Sequence, residues 1–231
     1  MPLAPTVACH SCSLANQGVC GVLGLGHKGV ADDALRSRKF KPRTMISRRG
    51  ERIDSVAILC AGFAIEYIQL VDGRRQIVSL ITPGTALSWA LEKATEVSIL
   101  AVSDARVALI PLDRIADVVA RTPGKFADII KSLEARRYEV CELAADIGRR
   151  SAFERVCRLL LRMLRITHAT IGENSAIMRV PLKRDERADI LGLTSTHLTR
   201  VLASLRAEGL VTVRGDVYTL RDIAKLTEAA A

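Results

Sequence analysis

From about Arg43 to Leu112, short apolar runs alternate with turn-forming residues, which predicts one strand after another. Two apolar-rich runs, Ala64 to Val71 and Arg74 to Ile81, flank Asp72-Gly73. Asp-Gly between such runs predicts a tight hairpin, because both turn residues tolerate positive φ. Thr82-Pro83-Gly84 supplies the next turn, and Glu96 to Leu100 and Ala105 to Ile110 read as two further strands split by Ser103-Asp104. Short antiparallel strands in this number imply a small barrel or jelly roll. Upstream, Met1 to about Lys28 shows neither a helical nor a strand period, and Ala31 to Lys39 reads as a short helix.

The period changes after Pro111. Leu112 to Ala120 reads as a short helix, and Gly124 to Gly148 as a long one with apolar positions at Phe126, Ile130, Leu133, Val140, Ala144 and Ile147. This narrow stripe, interrupted by Arg136-Arg137, suits pairing with a twin helix or packing on its own domain. Ser151-Ala152-Phe153-Glu154 matches the capping box that opens a helix, here one carrying Val156, Leu159, Leu160, Leu161, Met163 and Leu164. Asn174 to Val180 reads as a loop leading into a short strand.

Pro181 to Leu193 reads as a helix ended by Gly192, a residue suited to the left-handed conformation that closes a helix. Thr194 or Ser195 caps the next helix, which runs to about Glu208. Helix, short glycine-containing turn and helix form the helix-turn-helix pattern. The second helix buries Leu198, Val201, Leu202 and Leu205 and presents Ser195, Thr196, His197, Thr199, Arg200 and Arg206 on its other face. A polar and basic face opposite an apolar one suits entry into a DNA major groove. Gly209 to Val213, then Arg214-Gly215-Asp216, then Val217 to Leu220 form a second hairpin, a wing with Arg214 at its tip. His197 reads either as a DNA contact or as a solvated or phosphate-facing side chain.

Composition narrows the class. Apolar residues make up 49% of the 231-residue chain and aromatics only 3%, so its cores must be built from aliphatic side chains. The net charge of +9 suits a polyanionic partner, or a basic soluble protein without one. No apolar run approaches the roughly 18 residues that span a bilayer, and no secretory signal pattern opens the chain. A cytoplasmic location is therefore expected, with its six cysteines reduced. No Ser-His-Asp set, carboxylate pair in a plausible cleft or Gly-rich phosphate loop is present, so no enzymatic activity is expected; a zinc protein or metalloenzyme remains the reading from another class.

The stretch Leu191-Gly192-Leu193-Thr194-Ser195-Thr196-His197-Leu198-Thr199-Arg200-Val201-Leu202, with Leu205 to Val211 after it, resembles the CRP/FNR family of bacterial regulators. The resemblance covers nearly the whole chain and implies an α+β architecture. Residues 1–28 form a cysteine-containing segment, 29–122 a β-roll or jelly-roll sensor domain of the cyclic-nucleotide-binding kind, 123–149 a dimerisation helix, and 150–231 a winged helix-turn-helix. It further implies a homodimer acting on a double-stranded DNA palindrome and on RNA polymerase. The arginine matching Arg200 reads a guanine in each half-site. The chain departs from the family at Thr196, where a glutamate is common, which puts the half-site sequence in doubt.

Relatives that bind a cyclic nucleotide carry a Gly-Glu and a later Arg-Ser or Arg-Thr. The comparable stretch here, Pro83 to Lys93, has neither the glutamate nor the arginine, so cyclic AMP is not expected. Cys9-His10-Ser11-Cys12, followed by Cys20-Gly21, instead resembles the oxygen-sensing FNR-like branch. There, three N-terminal cysteines and a later one hold a [4Fe-4S] cluster through thiolates; oxygen dismantles the cluster, and dimerisation and DNA binding weaken. The branch's later cysteine matches Ala108, so Cys60 is the candidate fourth ligand beside Cys9, Cys12 and Cys20. Cys60 also reads as a small buried hydrophobe. The other readings of the N-terminal trio are a remnant of an ancestral site, a thiol sensor or a zinc site, with His10 a weaker alternative ligand. A regulator sensing a small molecule or thiol state without a cluster is the first rival. Cys141 and Cys157 read as core or interface residues.

Overall fold

Strand β3 (Ser55–Ala61) is buried on both faces: Val56 and Ile58 face one side, Ala57 and Leu59 the other. Two layers therefore cover it. The computed structural model describes residues 12–14, 16, 18–24, 36–52, 55–88, 94–167 and 169–231. They fall into two compact units, one of residues up to Arg74 with Val78–Val140, the other of Arg75–Ile77 with Cys141–Ala231.

The first unit is a β-roll. One sheet has the order β1-β8-β3-β6, made of β1 (Arg36–Phe40), β8 (Ala105–Pro111), β3 and β6 (Ala86–Ser88). The other has the order β2-β7-β4-β5, made of β2 (Met45–Ser47), β7 (Ser98–Ala101), β4 (Ala64–Gln69) and β5 (Arg75–Ile81). Between the sheets lies an aliphatic core that includes Ala57, Leu59, Leu87, Ile99 and Val107. The outer face of the first sheet carries a second core. There Val56, Ile58, Ala86 and Ile110 pack with Val19, Cys20 and Leu23, with Leu112, Ile115 and Val119, and with Ile129 and Leu133. These come from or lie beside helices α1 (Gly18–Val22), α2 (Leu112–Arg121) and α3 (Gly124–Arg149).

Three expectations change. Residues 36–39, predicted as part of a helix from Ala31, form strand β1, paired antiparallel with β8 from Arg36↔Leu109 to Phe40↔Ala105; residues 31–35 lie outside the described residues. Pairing with β8 overrides the weak local pattern. The hairpin after β4 closes through a backbone bond from Leu70 N–H to the Arg74 carbonyl at 2.7 Å, leaving a three-residue loop, not a two-residue one. Asp72 holds it by accepting from Arg74 N–H at 3.0 Å. The N-terminal segment contains the one-turn helix α1, stabilised by burial of Val19 and Cys20.

The arginine pair that interrupts the stripe of α3 divides between two faces. Arg136 ion-pairs with Glu66 and donates to the Ala86 carbonyl at 2.9 Å. Arg137 pairs along the helix with Glu134 at 2.8 Å.

In the second unit, α4 (Ala152–Ile166) follows the end of α3. Its capping box is formed: Glu154 N–H donates to Ser151 Oγ at 3.3 Å, and the Glu154 carboxylate accepts from Ser151 N–H at 2.5 Å. Four strands make a sheet of order β11-β12-β10-β9, with β9 (Thr170–Ile171), β10 (Ala176–Arg179), β11 (Val211–Arg214) and β12 (Val217–Leu220). Helices α5 (Arg184–Leu191), α6 (Ser195–Ala207) and α7 (Ile223–Glu228) complete the unit. Cys157 is fully buried in α4, and desolvation, reinforced by Glu208, pushes its thiol pKa up to about 11, so it packs as an inert small side chain. Among the described residues no helix is long and apolar enough to cross a membrane.

Candidate nucleic-acid interface and the cysteine-bearing face

The turn between α5 and α6 is set by backbone chemistry. Gly192 closes α5 at φ +61°, a left-handed conformation that a Cβ disfavours. A Cβ there would also stand 3.3 Å from Ile147 and 3.5 Å from Arg155 Nη1. Arg155, which the sequence reading overlooked, donates to the Leu191 carbonyl at 2.6 Å and so satisfies the end of α5. Its α4 neighbour Arg158 pairs with Asp146 at 2.9 Å, and Arg150 pairs with the same carboxylate at 2.6 Å.

Helix α6 starts at its N-cap Thr194, whose hydroxyl accepts from His197 N–H at 3.1 Å. Leu198, Val201, Leu202 and Leu205 are buried and fix which side of the helix faces inward. Thr196, His197, Thr199, Arg200 and Arg206 are exposed on the remainder of the helix. Ser195 is half-buried, and its hydroxyl donates to Asp185 on α5 at 2.5 Å, tying the two helices together. Thr199 donates to the Ser195 carbonyl at 2.8 Å, as an i to i−4 back-bond. The side chains of Arg200 and Arg206 make no ion pair among the described residues and remain available to a ligand.

The wing is β11 and β12, joined through Gly215-Asp216. Its tip is anchored, since Asp216 pairs with Arg179 at 2.6 Å and its carbonyl accepts from Val180 N–H at 2.8 Å. Arg214 beside it is exposed. Beneath the wing, Arg187 lies over the buried Tyr218 ring at 5.3 Å, a cation–π contact. An anchored wing and a clamped helix fix the backbone that carries these arginines, so little backbone freedom is left to lose on binding a polyanion.

In the first unit, alternation along β3 puts Val56 and Ile58 on the face packed by Cys20. Cys60 follows as the extra residue of a bulge, where the pairing with β8 slips between Leu59 and Ala61. Gly62 follows at φ +85°, with its Cα so close to Asp104 that any Cβ would meet that carbonyl at 2.1 Å. Burial raises the Cys60 thiol pKa above its ordinary value. A backbone hydrogen bond at Ala108 and the charge of Arg106 oppose that shift, while the nearby Cys12 adds to it. Cys60 thus stands beside Ala108 and within electrostatic reach of Cys12. Cys20 is buried at 7% exposure in the outer core. Cys9 and His10 lie outside the described residues. Among the described residues no three His, Cys, Asp or Glu side chains gather closely enough to hold a metal ion.

Along α3, Phe126 (58% exposed), Ile130, Tyr138 and Val140 are exposed apolar side chains. Leu133 turns to the outer core of the β-roll, and Ile147 packs near Gly192.

A winged helix-turn-helix with a free basic face defines a DNA-binding transcription regulator. Two family descriptions match the chain, the cyclic nucleotide-binding domain over residues 37–122 and the Crp-like helix-turn-helix domain over residues 154–229. The chain belongs to the CRP/FNR family of transcription regulators, which are not enzymes. It is 25% identical to the transcriptional activator protein FnrL of Cereibacter sphaeroides, over 98% of this chain and 94% of that protein. It is 21% identical to the anaerobic regulatory protein of Haemophilus influenzae, over 96% of this chain and 87% of that one. Its fold superposes on the structure of FixK2 from Bradyrhizobium japonicum with a TM-score of 0.77 and 23% identity, over 86% of this chain and 98% of that one.

Replacing Gly192 with alanine forces a Cβ into the left-handed region and against Ile147, at a cost of about 1–2 kcal/mol. Thermal unfolding of the helix-turn-helix unit should shift down by about 4–8 °C per kcal/mol. An unchanged midpoint would mean the turn does not require glycine.

Proposed function

We propose that this regulator is a homodimer that reads a palindromic operator through α6 and answers to oxygen through a [4Fe-4S] cluster held by Cys9, Cys12, Cys20 and Cys60. The observation that carries the cluster reading is the position of Cys60. The family branch matched above keeps its later cysteine where this chain has Ala108, and the Cys60 thiol lies by the Ala108 backbone and within electrostatic reach of Cys12. The donor type suits such a group, because thiolates are the ligands that iron–sulfur clusters take, although Cys12, Cys20 and Cys60 as they stand are not gathered closely enough to hold a metal ion. The name of the relative from Haemophilus, an anaerobic regulatory protein, points the same way. When bound, the cluster would supply a centre that oxygen destroys. Burial of Cys20 among Val19, Leu23 and Ile129 favours the rival reading, a CRP/FNR-type regulator that senses a small molecule or thiol state with no cluster.

On DNA, Arg200 would reach a guanine edge through two hydrogen bonds, worth about 1–3 kcal/mol of base discrimination. Thr196, His197 and Thr199 flank it as further base or backbone contacts, Ser195 orients α6 through Asp185, and Arg206 and Arg214 meet phosphates. Phe126, Ile130 and Val140, exposed on one side of α3, would be covered by the same helix of a second protomer. Two such protomers supply the pair of recognition helices that a palindrome requires, and RNA polymerase is the partner the family implies.

Arg200→Ala should lower affinity for the cognate palindrome about 10-fold or more while leaving random DNA nearly unaffected. Arg214→Ala should weaken both alike and flatten the salt dependence by about one unit of slope. An unchanged specificity ratio in Arg200→Ala would reject α6 as the reading element. Protein purified without oxygen should be brown, absorb broadly in the blue, and contain iron and acid-labile sulfide in equal amounts. Cys60→Ser should lose that absorption and Cys141→Ser should keep it. A colourless, iron-free wild type with full DNA affinity would reject the cluster and leave the rival reading standing.

A further inference from the structure

The two sheets of the β-roll do not close completely on each other. A cavity of about 200 Å³ lies between them, walled by Ile46, Ala57, Ile99, Val107 and Leu109. A cavity of about 150 Å³ is enough to hold benzene, so this one takes a single ring or a short aliphatic chain. Of the Pro83 to Lys93 stretch compared above with the cyclic-nucleotide cassette, only Leu87 lines it among the described residues, and no residue of α3 does. It lies on the inner face of the first sheet, opposite the cysteine-bearing outer face, so nothing about it rests on the cluster.

One polar side chain in the wall lacks a partner. Ser47 is only 7% exposed, and its hydroxyl makes no hydrogen bond among the described residues. A bulge in β2 sets Ser47 opposite Ile99, which belongs to the core between the sheets, so Ser47 takes the same inner face. Buried hydroxyls are nearly always satisfied, and an unsatisfied one calls for a missing partner. At the rim stand Arg38 and Arg52. Arg38 pairs in register with the inward-facing Val107, so its side chain leaves β1 on the cavity side. Neither arginine has an ion-pair partner among the described residues, whereas Glu51 beside them is engaged by Arg48, through its N–H at 2.9 Å and its guanidinium at 3.9 Å. An inward charge on an edge strand also discourages edge-to-edge pairing, but that role needs neither the cavity nor Ser47.

We propose that this cavity binds a small apolar carboxylic acid, with its hydrocarbon body between Ile99, Val107 and Leu109 and its carboxylate accepting from the Ser47 hydroxyl and facing Arg38 and Arg52. The regulator then has a second input, independent of the cysteines. Apolar walls supply affinity, one buried hydroxyl supplies orientation, and two cations select the charge.

The test is fluorine NMR of 4-fluorobenzoate with the full-length protein. Saturable broadening, reversed by unlabelled benzoate, is expected, with 4-fluorobenzyl alcohol about 10-fold weaker because it lacks the charge-assisted bonds. Ser47→Ala should keep or raise the apo melting temperature, since it removes an unsatisfied group, yet bind the acid several-fold more weakly. Arg38→Ala with Arg52→Ala should abolish the preference for the acid over the alcohol. Ala57→Leu, which fills the cavity, should remove binding; if it fails to fold, Ser47→Ala decides. Absence of saturable binding, equal affinity for acid and alcohol in the wild type, or unchanged affinity in Ser47→Ala would overturn the proposal.

Discussion

A helix of thirteen residues can bury one side only, and in α6 that side is settled by Leu198, Val201, Leu202 and Leu205. Everything this regulator does with DNA depends on that choice. Once those four are inside, Thr196, His197, Thr199 and Arg200 have no other place than the outer surface. The direction of the helix follows from its first turn, where Thr194 caps it, Ser195 is tied to Asp185, and Gly192 turns the chain in a conformation open to glycine. Arg155 completes the arrangement by meeting the carbonyl that the turn leaves without a helical partner. Rigidity here lowers the entropy lost on binding, which the base reading proposed for Arg200 would require.

In the other unit, a comparable economy comes from one sheet with two buried faces. The residues of β3 alternate between the core it shares with the second sheet and the core it shares with α1, α2 and α3. A one-residue slip would exchange the two sets. The parity that sends Ala57 and Leu59 toward the core between the sheets sends Val56 and Ile58 toward the side where Cys20 packs, and the bulge at Cys60 ends that alternation. The proposed acid site and Cys20 therefore lie on opposite faces of one sheet.

Much of this was legible in the residues. Gly192 announced a helix end because so few residues accept its φ, and the capping box at Ser151 announced a helix start because it satisfies two backbone donors at once. What escaped the reading depended on contacts far apart in sequence. Strand β1, Arg-Ser-Arg-Lys-Phe, has no apolar alternation, since its inward positions include Arg38; only its pairing with β8 reveals it. Helix α1 is a single turn that exists because Val19 and Cys20 find a core to fill. Leu133 fits the stripe of α3 by spacing, yet it packs on the outer core of the β-roll while Ile130 stays exposed. Arg155 carried no local mark, because its partner lies 36 positions away.

The most direct measurement of the central claim is selection of binding sites from a pool of random duplexes, by the wild type and by Arg200→Ala side by side. The account predicts that the wild type enriches an inverted repeat with half-site centres about one helical turn apart, with a guanine fixed in each half. In Arg200→Ala, that guanine alone should become variable. Enrichment of no inverted repeat, or of the same fixed guanine by both proteins, would contradict it.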